Sequence, residues 1–146
     1  MKRYDLYVIT DEGLSRGLKH TEIARQAIAG GADVVQLRDK YKSGEEMLEF
    51  AMQIRALTKE AGVIFIVNDR LDIAIASGAD GVHLGQQDLP VKLARSLAPA
   101  GFIIGISAGN LEEAVQAELD GADYIGLGPI CHTDSKKDAG PSCGFR

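Results

Sequence analysis

The sequence predicts an α/β fold of the TIM-type (β/α) barrel class, with about six of the eight βα units present, as one incomplete domain over residues 1–146. Three observations predict it. Short β-rich apolar runs alternate without exception with segments of helical period from Leu6 to Leu127. The tripeptide Gly-Ala-Asp recurs at 31–33, 78–80 and 121–123, each time between a helix end and a strand. Polar clusters stand at or beyond the ends of the strands: Gln36 to Lys40, Asn68-Asp69-Arg70, His83 to Asp88, Ser107, and Thr133 to Lys137. In a barrel of parallel strands all such ends open onto one face. Cations, carboxylates and hydroxyls gathered there suit a diphosphate with a metal ion.

The elements follow in order. Leu6 to Thr10 is the first strand, and Ile23, Ala24, Ala27 and Ile28 mark a helix closed by Gly30-Gly31. Val34 to Leu37 is the second strand. Ser43 with Glu46 forms a capping box opening a helix whose face is Met47, Phe50, Ala51, Ile54 and Leu57. Val63 to Val67 is the third strand, a helix starts near Leu71, and Gly81 to Leu84 is the fourth strand. Asp88 and Pro90 open the next helix. Phe102 to Ile106 is the fifth strand, Asn110 with Glu113 a second capping box, and Tyr124 to Leu127 the sixth strand. In each Gly-Ala-Asp the glycine permits a left-handed helix end, and the alanine lets helix and strand pack closely. A Rossmann-type sheet is the rival, but no GxGxxG follows an early strand.

Composition sets bounds. An apolar share of 45% and a charged share of 25% are those of an ordinary globular chain. A net charge of −5 opposes general affinity for nucleic acid or acidic membrane, so an anion site must be local. Only Cys131 and Cys143 occur, without CxxC spacing or a secretory leader pattern, which predicts a reduced, cytoplasmic setting. No apolar run approaches the roughly 18 residues of a membrane span, so no membrane partner is expected.

Each polar cluster has two readings. Arg38 and Lys40 alternate past a strand and point to one mouth while Asp39 points away; they clamp phosphate or form a solvated charged loop. Gln36 lies inside an apolar strand and needs a partner. Asp69 and Asp88 are carboxylates from separate loops, able to bind Mg²⁺ through a ligand's phosphates or to cap helices. Asn68 offers its amide to a heterocycle or closes an Asx turn. His83 lines a site or is a hydrogen-bonded structural histidine, and Ser107 meets phosphate or caps the following helix. Thr133, Ser135 and Lys136 belong to a donor-rich loop after Gly126-Leu127-Gly128-Pro129, read as a phosphate-closing lid or an ordinary exposed loop. The sequence suggests no Ser-His-Asp or Cys-His arrangement and no catalytic role for Cys131.

With these motifs in hand, the chain resembles the thiamine phosphate synthase family, which couples a pyrimidine to a thiazole in thiamine biosynthesis. The resemblance runs from Leu6 to about Asp138 through Tyr7 to Asp11, Gln36 to Lys40, Val67-Asn68-Asp69, Gly78 to Gln86 with Asp88, Gly105-Ile106-Ser107, and Gly126 to Ile130 with Thr133, Ser135 and Lys136. It implies that Gln36, Arg38, Lys40 and Asn68 hold hydroxymethylpyrimidine diphosphate, with Ser107 and Lys136 also reaching the diphosphate. Asp69 and Asp88 would bind Mg²⁺, Thr133 and Ser135 would meet the thiazole phosphate, and His83 would line the site near the thiazole. Arg38, Lys40, Ser107 and Lys136 are the implied catalytic set. Cys131-His132 stands where the family usually has an aromatic residue and Pro, and Ser135 replaces a commoner Thr.

Six strands fall short of a closed barrel, so a truncated chain that self-associates through open edges is a further expectation. Two other readings remain: a thiazole tautomerase-like relative that needs no Mg²⁺, and a non-catalytic module binding a phosphate ligand.

Overall fold

The computed structural model describes residues 4–133, 142 and 144. Six strands alternate with five helices among them: β1 (Tyr7–Thr10), α1 (His20–Ala29), β2 (Val34–Leu37), α2 (Gly44–Ala61), β3 (Ile64–Asn68), α3 (Leu71–Ala76), β4 (Gly81–Leu84), α4 (Val91–Leu97), β5 (Ile103–Ala108), α5 (Leu111–Leu119) and β6 (Tyr124–Leu127). The strands are neighbours in chain order, β1-β2-β3-β4-β5-β6. A Rossmann sheet would instead set β1 beside β4, so that rival is removed. The chain is α/β, as the alternation predicts.

The described residues fall into two compact units divided between Val82 and His83. In the first, β1 pairs parallel with β2 and β2 with β3. Its core is the buried β2 and β3 residues, Val34, Val35, Leu37, Phe65, Ile66 and Val67, under Met47, Ala51 and Ile54 of α2. In the second, β5 pairs parallel with β6, and Ile103, Ile104 and Ile106 are buried with Val91 and Ala94 of α4.

Most helix signals act as the sequence suggests. Ser43 caps α2 in a complete capping box with Glu46. Asn110 caps α5 by accepting from the Glu113 backbone N–H at 2.8 Å, but the Glu113 carboxylate takes the Gly109 N–H instead of the Asn110 N–H, so the expected second capping box is incomplete. Asp88 departs further. Helix α4 begins after Pro90 with no side-chain cap, and Asp88 instead accepts the Gly85 N–H at 2.6 Å.

The Gly-Ala-Asp repeat is a single structural device used three times. Gly31, Gly78 and Gly121 have φ of 88°, 68° and 88°, the left-handed residue of a Schellman cap. The following alanine donates its N–H five residues back, to Ala27, Ala74 and Ala117. The aspartate then bonds twice to the preceding strand. Its N–H donates to the carbonyl of Leu6, Phe65 or Ile104, and its carboxylate accepts the N–H of that same residue. Asp33, Asp80 and Asp123 thereby fix each even strand against the odd strand before it. Arg55 and Arg95 add ion pairs to Asp80 and Asp123 at 2.9 and 2.7 Å.

Candidate active site

The strand ends of the first unit carry Gln36, Arg38, Lys40, Asn68 and Asp69. Gln36 is buried in β2, and the partner it requires is Tyr7, whose hydroxyl accepts from Gln36 Nε2 at 2.7 Å. Arg38 is half-buried and pairs with Asp11 at 3.3 Å, while Lys40 is exposed. Asp39, between them in the chain, contacts His20 Nε2 at 2.9 Å.

Asn68 ends β3 with its side chain paired to no described residue. The Asx-turn alternative is absent among the described residues, because the Arg70 N–H goes to the Asn68 main-chain carbonyl at 2.7 Å. Asp69 follows with φ of 61°, an uncommon left-handed conformation for a residue with a Cβ. It is not a helix cap: Arg70 precedes α3 without any side-chain cap. Strain of this kind persists where surrounding structure imposes it, and it concentrates at functional positions.

The strand ends of the second unit carry His83, Asp88 and Ser107. His83 lies between two hydroxyls, with Nδ1 3.0 Å from Tyr124 Oη and Nε2 3.0 Å from Ser107 Oγ. Its ring also packs on that of Tyr124, with centroids 5.5 Å apart. Two glycines make room for these rings. A Cβ on Gly105 would fall on the Tyr124 ring, and one on Gly126 would meet His83 at 3.3 Å. Ser107 caps no helix; its main-chain carbonyl accepts from Gln86 at 2.7 Å. Asp88 uses Oδ2 for the Gly85 N–H, and Oδ1 has no partner among the described residues. Thr133 is half-buried; Ser135 and Lys136 lie outside the described residues.

The capping alternatives for Asp69, Asp88 and Ser107 therefore fail. Asp69 and Asp88 are both half-buried carboxylates beyond strand ends, and this is the hard-oxygen donor type that Mg²⁺ accepts. The donor chemistry fits the ion. A third acidic group, Glu12 with Asp39 and His20, is also close enough to be considered for a metal, with ligand atoms within 4.8 Å.

Sequence reasoning missed the histidine contacts. Ser107–His83–Tyr124 is a Ser-His pair, and Thr10–His20–Asp39 is a second chain, with Thr10 Oγ1 2.7 Å from His20 Nδ1 and His20 Nε2 2.9 Å from Asp39 Oδ2. His20 carries no local signal, because it sits in a polar lead-in ten residues from one partner and nineteen from the other.

Similarity to known proteins shows the family. The family model described as thiamine monophosphate synthase matches residues 6–146. The chain belongs to the thiamine monophosphate synthase family. It is 65% identical over 143 residues to the thiamine-phosphate synthase of Methanocella arvoryzae, covering 98% of this chain and 68% of the relative. It is 60% identical over 142 residues to that of Methanoculleus marisnigri, covering 97% and 67%. The thiamine phosphate pyrophosphorylase structure from Pyrococcus furiosus matches with a TM-score of 0.85 at 44% identity, over 92% of this chain and 64% of that one. The chain thus spans about two thirds of the length of these relatives. Membership sets the function class as thiamine-phosphate synthase, a transferase of thiamine biosynthesis. No helix among the described residues is long and apolar enough to cross a membrane.

Proposed function

We propose that this chain supplies the diphosphate-binding residues of an Mg²⁺-dependent thiamine phosphate synthase with a TIM-type (β/α) barrel. The enzyme joins hydroxymethylpyrimidine diphosphate to thiazole phosphate and releases pyrophosphate. The observation that carries the reading is that the polar residues at these strand ends are not used as helix caps. Asp69 is held in a left-handed conformation, Asp88 keeps one oxygen unpaired among the described residues, and Asn68 keeps its amide unpaired there.

Arg38 is a bidentate donor and Lys40 an exposed ammonium, both matched to phosphate oxygens. Gln36 and Asn68 complete the pyrimidine diphosphate's contacts in this reading, and Ser107 and Lys136 reach the diphosphate. Asp69 and Asp88 would hold Mg²⁺, which when bound would supply charge neutralisation to the diphosphate. Departure of the diphosphate breaks the C–O bond and leaves a pyrimidine cation, which the thiazole nitrogen captures. That route depends on stabilising a leaving group, and the chain's cations serve it better than a general base would. His83 keeps Ser107 oriented through Nε2 and lines the thiazole side, and Thr133 and Ser135 take the thiazole phosphate.

The test is to incubate the gene product with both substrates and measure thiamine phosphate and pyrophosphate. The reading expects the two in equal amounts and neither without Mg²⁺. Conversion of the thiazole alone, without metal or pyrophosphate, would replace it with the tautomerase reading. Diphosphate binding without turnover would replace it with the binding-module reading.

A further inference from the structure

The first unit contains a buried polar chain that the synthase reading leaves without a role. Thr10 ends β1, His20 opens α1, and Asp39 lies just past β2 between Arg38 and Lys40. Thr10 and His20 have no solvent exposure, and Asp39 is 10% exposed. The connectivity of hydroxyl, imidazole and carboxylate is that of a nucleophile triad. A fully buried hydroxyl meets no substrate, so this chain performs no nucleophilic chemistry.

A metal site fares no better. The ligand atoms of Glu12, His20 and Asp39 lie within 4.8 Å of one another, but both imidazole nitrogens are already hydrogen-bonded. The Lys42 ammonium stands 3.0 Å from Glu12 and 3.9 Å from Asp39, so the cation the carboxylates require is part of the chain.

The remaining role is mechanical. The segment from Arg38 to Lys42 folds around the Asp39 carboxylate, whose Oδ1 accepts the N–H groups of Tyr41 at 2.8 Å and Lys42 at 3.0 Å. Its Oδ2 accepts from His20 Nε2. At the other end the Arg38 N–H donates to Thr10 Oγ1 at 3.4 Å. His20 therefore touches both anchors of the loop that bears Arg38 and Lys40. The groups facing it are Thr10, Asp39, the edge of Phe50 with ring centroids 5.2 Å apart, and Glu12, which accepts the His20 backbone N–H at 3.3 Å. Lys42 joins this set through Glu12 and Asp39.

Proton placement is consistent throughout. Burial pushes the Asp39 carboxyl up but is outweighed by hydrogen bonds from His20, Tyr41 and Lys42, so its pKa is lowered and it is ionised at neutral pH. An ionised acceptor requires the proton on His20 Nε2. In the neutral ring Nδ1 then accepts the Thr10 hydroxyl, which leaves Thr10 Oγ1 free to accept the Arg38 N–H.

We propose that His20 is a positioning residue for the diphosphate clamp, holding Arg38 and Lys40 in place through Asp39 and Thr10. The proposal rests on the synthase reading of those two cations. His20→Leu, which abolishes both bonds, is expected to raise KM for the pyrimidine diphosphate about tenfold and leave KM for thiazole phosphate unchanged. His20→Gln, whose amide can still donate to Asp39, is expected to recover most of that loss. Unchanged KM for the diphosphate in His20→Leu, or an equal loss for both substrates, would overturn the proposal.

Titration of inorganic pyrophosphate with Mg²⁺ separates this from the synthase reading. If the wild-type protein makes no thiamine phosphate, the synthase reading fails, yet His20→Leu should still weaken pyrophosphate about tenfold. If the variant does not fold, the nitrogen-15 spectrum of the wild-type imidazoles decides. A proton on Nε2, shared with the Asp39 carboxylate, is expected, and an Nε2 without a proton at neutral pH would overturn the proposal.

Discussion

Replacing Gly105 by alanine tests the packing that holds Ser107 and His83. A Cβ at that position would overlap Cζ, Cε1 and Oη of Tyr124, far inside the ~3.5 Å at which carbon atoms pack. Tyr124 must leave, and its hydrogen bond to His83 goes with it. Overpacking of a buried position costs ~1–3 kcal/mol, and the lost hydrogen bond adds ~1 kcal/mol. The sum, about 2–4 kcal/mol, corresponds to a Tm drop of roughly 5–15 °C for a chain of this size. The assay is a double-mutant cycle by denaturant unfolding of Gly105→Ala, Tyr124→Ala and the pair. If the ring is the obstacle, Gly105→Ala costs under ~1 kcal/mol once Tyr124 is alanine. An equal cost in both backgrounds would refute the reasoning.

The other predictions are more direct. Asp80→Ala removes the carboxylate that accepts the Phe65 N–H and the Arg55 guanidinium, and should destabilise the protein by about 1–3 kcal/mol in urea melts. The equivalent Asp123→Ala, beside Arg95 and Ile104, should cost a similar amount. Asp69→Gly should hold or raise thermal stability, by up to about 1 kcal/mol, because glycine adopts a φ of 61° without strain, while abolishing Mg²⁺-dependent activity. Asp39, whose folded pKa lies below its ordinary 3.8, contributes stability that is present above 3.8 and lost as pH falls through the folded value. Asp39→Asn should therefore be less stable than wild type at pH 7, with the gap closing in acid melts below pH 3.8.

Period and punctuation made the fold legible. Alternating runs placed all six strands within two residues of their observed ends, because each apolar run is short and bounded by Gly, Asp or a capping residue. The Gly-Ala-Asp repeat signals a tight turn, which the Schellman caps bear out. Its aspartate went unread, since only the folded chain shows that the carboxylate reaches the N–H of Leu6, Phe65 or Ile104. The same limit hid Thr10, His20 and Tyr124. Asp88 misled in the opposite direction. An acidic residue shortly before Pro and a helix resembles a cap, but its carboxylate turns back to Gly85.

Calorimetric titration of hydroxymethylpyrimidine diphosphate, with and without Mg²⁺, tests the central claim most directly. In the wild-type protein Mg²⁺ should tighten binding by about tenfold or more. In Asp69→Asn and Asp88→Asn that enhancement should disappear. Variants that bind the diphosphate with the same Mg²⁺ dependence as the wild type would contradict the assignment of these two carboxylates and the diphosphate site built on them.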